Sequence, residues 1–251
     1  MDHGRSITVS EAWRQIGTAR TGGILLIADH ASAFVPADID LGIDPMLLTN
    51  HIAIDIGVAE VAALLVEGGA VDAAILGGVS RLVVDCNRDE DAPGVLPIAS
   101  DGHAVPGNAL GDDGREARLA RFFRPYHDHI AATIAAHRPA MVLSLHSFTP
   151  SLAAHPDQAR PWHVGVLYNE DDRLAAAAIA ALEAEEMIVG DQQPYSGKLL
   201  NATMNRHAEA NGIPYVGIEM RQDLVGDAAG QALFAGRLSR MCSKVALNLP
   251  G

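Results

Sequence analysis

The chain has 251 residues, is 49% hydrophobic and carries a formal charge of -13 at pH 7. That length supports one large domain with a full core, and the acidity disfavours nonspecific binding to nucleic acid or an anionic membrane, both of which need a basic face. The two cysteines, Cys86 and Cys242, stand far apart and in no CxxC spacing, which argues against a thiolate metal site or a disulfide scaffold.

The opening residues, MDHGRSITVSEAW, lack a basic stretch followed by an apolar one, and no apolar run approaches the ~20 residues of a membrane span. A soluble, cytoplasmic protein of a single domain, 1–251, is expected.

Residues 23–28 (GILLIA) form a short apolar run behind glycines and read as a central strand ending at Asp29 and His30. Residues 44–69 alternate polar and apolar at helical spacing and close on Gly68 and Gly69, which predicts one or two helices. Two strands are predicted next, over 71–76 and 80–85, the second running into Cys86, Asn87 and Arg88. Residues 89–114 are rich in Asp, Gly and Pro and read as a long irregular loop, of a length that is usually functional or disordered.

Helical periodicity returns over 115–137, followed by strands at 140–145 and 163–168 and an alanine-rich helix over 172–187. The segment QQPYSGK reads as a loop, residues 200–211 as a helix stopped at Asn211 and Gly212, 214–220 as a strand and 228–247 as the last helix. Strands alternating with helices predict an α/β sandwich with a largely parallel sheet. No repeat, linker or low-complexity tail divides it.

In an open parallel sheet, ligands bind beyond the carboxyl ends of the strands. The residues at those ends are Asp29, His30, Asn87, Arg88, His146, Glu219 and Arg221. Two histidines with nearby carboxylates are suitable N/O ligands for Zn²⁺, and a further glutamate can act as general base. An arginine fork near a metal is the expected way to hold a substrate carboxylate, the role given to Arg88 beside Asn87. Each residue also has a structural explanation: His30 or His146 bonded to backbone or a neighbour, and Glu219 paired with Arg221 two residues on along one strand face. HExxH, GxSxG and P-loop motifs are absent, and Ser144 and Ser147 lack the elbow of a serine nucleophile.

Six segments in order, LLIADHASAFVP (25–36), HIAIDIG (51–57), SRLVVDCNR (80–88), SLHSF (144–148), PYSGK (194–198) and GIEMRQD (217–223), together resemble the N-formylglutamate amidohydrolase family. The resemblance implies a three-layer α/β sandwich with a central mostly parallel sheet, related to zinc carboxypeptidases and aspartoacylases. It also implies hydrolysis of N-formyl-L-glutamate to formate and glutamate, at the end of a histidine degradation route. Zn²⁺ is the implied cofactor and a small N-acyl amino acid the implied partner.

On the template of the wider zinc hydrolases, His30 and His146 correspond to metal ligands, Asn87 and Arg88 to the substrate-binding pair, Glu219 to the catalytic base and Arg81 to a further arginine. Three residues after His30, where those relatives carry a carboxylate, stands Ala33. The third ligand must come from elsewhere, with Asp55 first and Asp29 second, either of which could instead orient a histidine. Arg81 or Arg221 would steady the oxyanion or a second carboxylate, and Tyr195 and Lys198, in a glycine-containing loop, would join the substrate-binding residues as parts of a lid or stand on a solvent-exposed turn. Two alternatives stay open: another N-acyl amino acid or small amide as substrate, and a binding protein of this fold without turnover, which Ala33 keeps in play.

Overall fold

A computed structural model of the protein describes residues 6–153, 156–247 and 249. In chain order, β1 (Ile7–Val9), β2 (Trp13–Gly17) and β3 (Ile24–Ala28) lead to a 3-10 turn at Pro45–Thr49 and α1 (Val58–Glu67). β4 (Ala73–Gly77), the short strands β5 (Ala99–Ser100) and β6 (His103–Ala104), and α2 (Asp112–Arg118) follow. A π-helical turn at Leu119–Phe123 joins α2 to α3 (Arg124–His137). Then come β7 (Met141–Phe148), β8 (Val164–Leu167), α4 (Ala175–Glu183), β9 (Val189–Asp191), α5 (Ala202–His207), β10 (Tyr215–Arg221) and α6 (Ala228–Ala246).

Eight strands form one sheet in the order β1-β2-β4-β3-β7-β10-β8-β9. Its centre, β4-β3-β7-β10, is parallel, whereas β2 against β4 and β10 against β8 are antiparallel. The sheet is mixed, and both faces are covered. Alternation along the strands sends Leu26, Ala74 and Leu143 into one core with α1, α4 and α6, and Leu25, Ile27, Ile75 and Val142 into a second core with α3 and α5. The result is a three-layer α/β sandwich. Among the described residues no helix is long and apolar enough to cross a membrane.

Several expectations are corrected. Residues 80–85 are not a strand: the Ser80 hydroxyl donates to the Ala53 carbonyl, the Val83 amide bonds back to the Ser80 carbonyl, and the chain turns. Leu82, Val83 and Val84 are apolar because they fill the second core, a burial that needs no strand pairing. The strand expected over 140–145 continues to Phe148, so His146 lies inside it. The N-terminal pair β1 and β2 and the edge strand β9 carry no apolar run that marks them in sequence. The 89–114 segment holds short elements and is pinned where the Asn108 amide donates to the carbonyls of Leu82 (2.7 Å) and Pro97 (2.9 Å).

Candidate metal centre and substrate cavity

The register of β10 on β7 pairs Glu219 with His146. Because side chains alternate along a strand, both point to the α3/α5 side, with Val142 and Tyr215 of the second core marking that face. His30 arrives two residues past β3. Asp55 sits in the turn before α1, where its amide donates to the His30 carbonyl (3.0 Å). Gly57, with φ +81 and no room for a Cβ, which would lie 2.3 Å from the Val225 carbonyl oxygen, allows this turn to press against the chain that follows β10.

Asp55 is the hub of the cluster. Its Oδ2 lies 2.8 Å from His146 Nδ1 and 3.4 Å from His30 Nδ1, and its Oδ1 accepts from Arg81 Nη1 (3.2 Å). Each imidazole meets a second carboxylate through its other nitrogen. His30 Nε2 lies 2.7 Å from Asp85 Oδ1, and His146 Nε2 lies 3.3 Å from Asp29 Oδ2. These carboxylates are anchored in turn. Asp85 accepts from Arg81 Nη2 (2.9 Å) and the Asn87 amide (3.0 Å). Asp29 accepts from the hydroxyls of Tyr126 (2.9 Å) and Thr203 (2.8 Å).

Ligand atoms of His30, Asp55 and His146 all lie within 4.8 Å of one another, and the three residues are buried. His30 Nδ1 and Glu219 Oε2 are buried without a hydrogen-bond partner, whereas His146 Nε2 and Asp29 Oδ2 face each other at 3.3 Å. Buried polar atoms are nearly always satisfied, so two left open on one cavity fit a site built for something else to occupy. A divalent cation on His30, Asp55 and His146 matches the donor set, two imidazoles and one carboxylate. Asp85 and Asp29 then stand where outer carboxylates fix the orientation of ligating histidines.

Electrostatics agree with a cation. Burial and Arg81 disfavour protonation of His30, but Asp85 and Asp55 outweigh them and raise its pKa; burial likewise opposes protonation of His146, and Asp29, Asp55 and Glu219 raise it well above the usual value. Burial pushes the Asp55, Asp85 and Asp29 carboxyls up, yet the histidines around all three, and Arg81 beside the first two, hold them below the ordinary range. Glu219 differs: burial lifts it to about 7 against the pull of His146, Arg81 and His30, with Asp55 adding to the rise. That value suits a general base at neutral pH.

His30, Asp55, His146 and Glu219 open onto a cavity of about 330 Å³, at the small end of ligand pockets and suited to an amino-acid-sized molecule. Of the expected substrate-binding residues, Asn87, Arg88 and Tyr195 line it, as does Arg81. Arg88 Nε lies 3.6 Å from Asp85 Oδ2. Asn87 Oδ1 accepts from the Thr203 amide (3.1 Å), tying the loop to α5. The structure does not bring Arg221 or Lys198 into the cavity. Arg221 donates to Asp223 (2.8 Å) and to the Pro161 carbonyl (3.2 Å) beyond the end of β10, and Lys198 is exposed on its loop.

Sequence reasoning missed Asp85, because its segment reads as a strand, and Arg160, which belongs to no motif. It also missed the cavity residues His51 and Asp101, whose side chains meet at 3.0 Å. The spacing of polar residues at the ends of 80–85 was the available signal for Asp85; none marked Arg160.

The model of the N-formylglutamate amidohydrolase family matches residues 22–225, a span that contains every residue of this site. The crystal structure of a gene product from Agrobacterium tumefaciens is 33% identical, with 94% of this chain and 95% of that one covered and a TM-score of 0.87. N-formylglutamate amidohydrolase from Ralstonia eutropha shares the fold at 17% identity, with 96% and 98% covered and a TM-score of 0.71. No curated protein matches the chain.

Proposed function

We propose, from the premise that the chain belongs to the N-formylglutamate amidohydrolase family, that it hydrolyses the formamide bond of N-formyl-L-glutamate to release formate and glutamate. The observation that carries this reading is the buried His30, Asp55 and His146 cluster beside a glutamate, Glu219, whose Oε2 has no partner and whose pKa is lifted to about 7.

Zn²⁺ held by His30, Asp55 and His146 would supply Lewis acidity toward the amide carbonyl and acidify water at the site. Glu219 takes the proton of the attacking water on its carboxylate and returns it to the departing amine nitrogen, for which a pKa between those of ordinary carboxylates and amines is suited. Asp85 and Asp29 keep the two imidazoles oriented through their Nε2 atoms. Arg81 is held by Asp55 and Asp85, and its guanidinium also faces the cavity, where it favours the negative charge that develops on the carbonyl oxygen. Arg88, with Asn87 beside it, takes the α-carboxylate.

Formate release from N-formyl-L-glutamate tests the proposal, measured with metal-stripped and zinc-loaded protein. Zinc-dependent release is the expected result; no release from zinc-loaded protein, or equal release without metal, would overturn it.

A further inference from the structure

Arg160 is a buried cation, 9% exposed, that meets no carboxylate among the described residues. The two arginines that line the cavity do meet one: Arg81 faces Asp55 and Asp85, and Arg88 faces Asp85. Arg160 instead donates through Nη1 to the Tyr195 hydroxyl oxygen (3.0 Å) and to the Thr149 carbonyl (3.3 Å), and its guanidinium carbon lies 5.0 Å from the Tyr195 ring centroid. Tyr195 and Thr149 both line the cavity that holds Glu219. A buried charge is costly unless it is paired, and among the described residues this one meets only a hydroxyl and a carbonyl, immediately behind the cavity wall.

The Tyr195 oxygen already accepts from Arg160, so its own proton is left to point elsewhere, and no acceptor among the described residues takes it. Donation from a guanidinium also makes that hydroxyl a stronger donor, as in any polarised chain of hydrogen bonds. We propose that Arg160 and Tyr195 form a second anion subsite, in which the Tyr195 hydroxyl and the charge of Arg160 behind it bind the side-chain carboxylate of the substrate while Arg88 binds the α-carboxylate. Tyr195 touches the substrate; Arg160 is the positioning residue. The pair thereby selects a dicarboxylic N-formyl amino acid over its uncharged analogues.

The inference rests on the proposed hydrolysis for its kinetic arm, and a binding arm keeps it separable. The wild type, Arg160→Met, Arg160→Lys and Tyr195→Phe would be assayed for kcat/KM on N-formyl-L-glutamate and on the isosteric N-formyl-L-glutamine. Calorimetry would give the affinity of each compound for metal-stripped protein. The wild type is expected to favour the glutamate compound by about 10–100-fold, the range of one charge-assisted hydrogen bond. Arg160→Met and Tyr195→Phe should collapse that ratio toward one, and Arg160→Lys should restore part of it. A subsite of this kind fails if the wild type does not discriminate, or if the variants lose both compounds equally, as a packing defect would make them do. Absent turnover with intact discrimination in binding would sink the hydrolytic reading and leave the subsite standing.

Discussion

His30 and Asp85 meet at 2.7 Å through Nε2 and Oδ1, fifty-five residues apart in sequence and both buried. This contact leaves His30 Nδ1 as the nitrogen that faces Asp55, and it makes Asp85 the common partner of His30, Arg81 and the Asn87 amide. On the proposed mechanism, removing Asp85 would disturb the metal ligand His30, the arginine facing the carbonyl oxygen and the substrate loop together. Asp85→Ala should weaken zinc binding by about 10–100-fold, the usual effect of deleting an outer carboxylate, read by competition with a chromogenic chelator. Zinc affinity within twofold of wild type would show that Asp85 does not orient His30.

Zinc itself should stabilise the fold. A ligand at about 100 times its dissociation constant adds roughly 2.7 kcal/mol, which for a chain of this size raises the melting temperature by about 5–10 °C. The shift should vanish in His146→Ala. A melting temperature indifferent to zinc, or a shift that persists in that variant, would place the cation elsewhere.

The buried pair His127 and His207, in contact at 2.8 Å between Nδ1 and Nε2, makes a second pH-sensitive element. Burial and the neighbouring His207 lower His127 to about 3, against Asp29; burial and Arg206 lower His207 to about 4, against Asp29 and Asp128. Unfolded imidazoles titrate near about 6.5, so below that pH the unfolded chain binds more protons. The stability associated with the pair is whole above 6.5 and is lost as pH falls toward about 4, at about 1.4 kcal/mol per unit for each imidazole. His30 and His146 shift in the opposite direction, so the pair is isolated by comparison with His207→Gln. Urea unfolding between pH 6.5 and 5 should show a shallower acid loss in that variant. Parallel profiles would contradict the assignment.

Gly57→Ala should destabilise the protein by at least about 1–3 kcal/mol, the cost of holding an alanine at positive φ, with the contact against the Val225 carbonyl added. Because Asp55 lies two residues earlier, zinc affinity should fall as well. An unchanged melting temperature would mean that the turn can move without cost.

The central strands were legible because both their faces are buried: ILLIA, MVLSL and YVGIE are nearly continuous apolar runs. His30, His146 and Glu219 were legible because each stands out against such a run. The register that sets Glu219 beside His146 was not, since pairing between residues 73 apart in sequence leaves no local trace. Asp55 came from the family resemblance alone. Leu82, Val83 and Val84 misled because burial in a turn and burial in a strand select the same residue types, and that error hid Asp85. Arg160 reaches the cavity wall through contacts with Thr149 and Tyr195, and Arg221 leaves it through Asp223 and main-chain carbonyls. Neither outcome follows from spacing.

The central claim is that Glu219 is the base beside a cation held by His30, Asp55 and His146. Zinc content and formate release from N-formyl-L-glutamate, measured on one preparation of Glu219→Gln and one of wild type, test it most directly. The account predicts equal, stoichiometric zinc in both, with kcat lower by about 10²–10⁴-fold in the variant. In the wild type, kcat/KM should fall with acid along a limb below pH 7, because Glu219 sits at about 7 before a cation pulls it down. Turnover in Glu219→Gln within a few-fold of wild type at full zinc occupancy would contradict it.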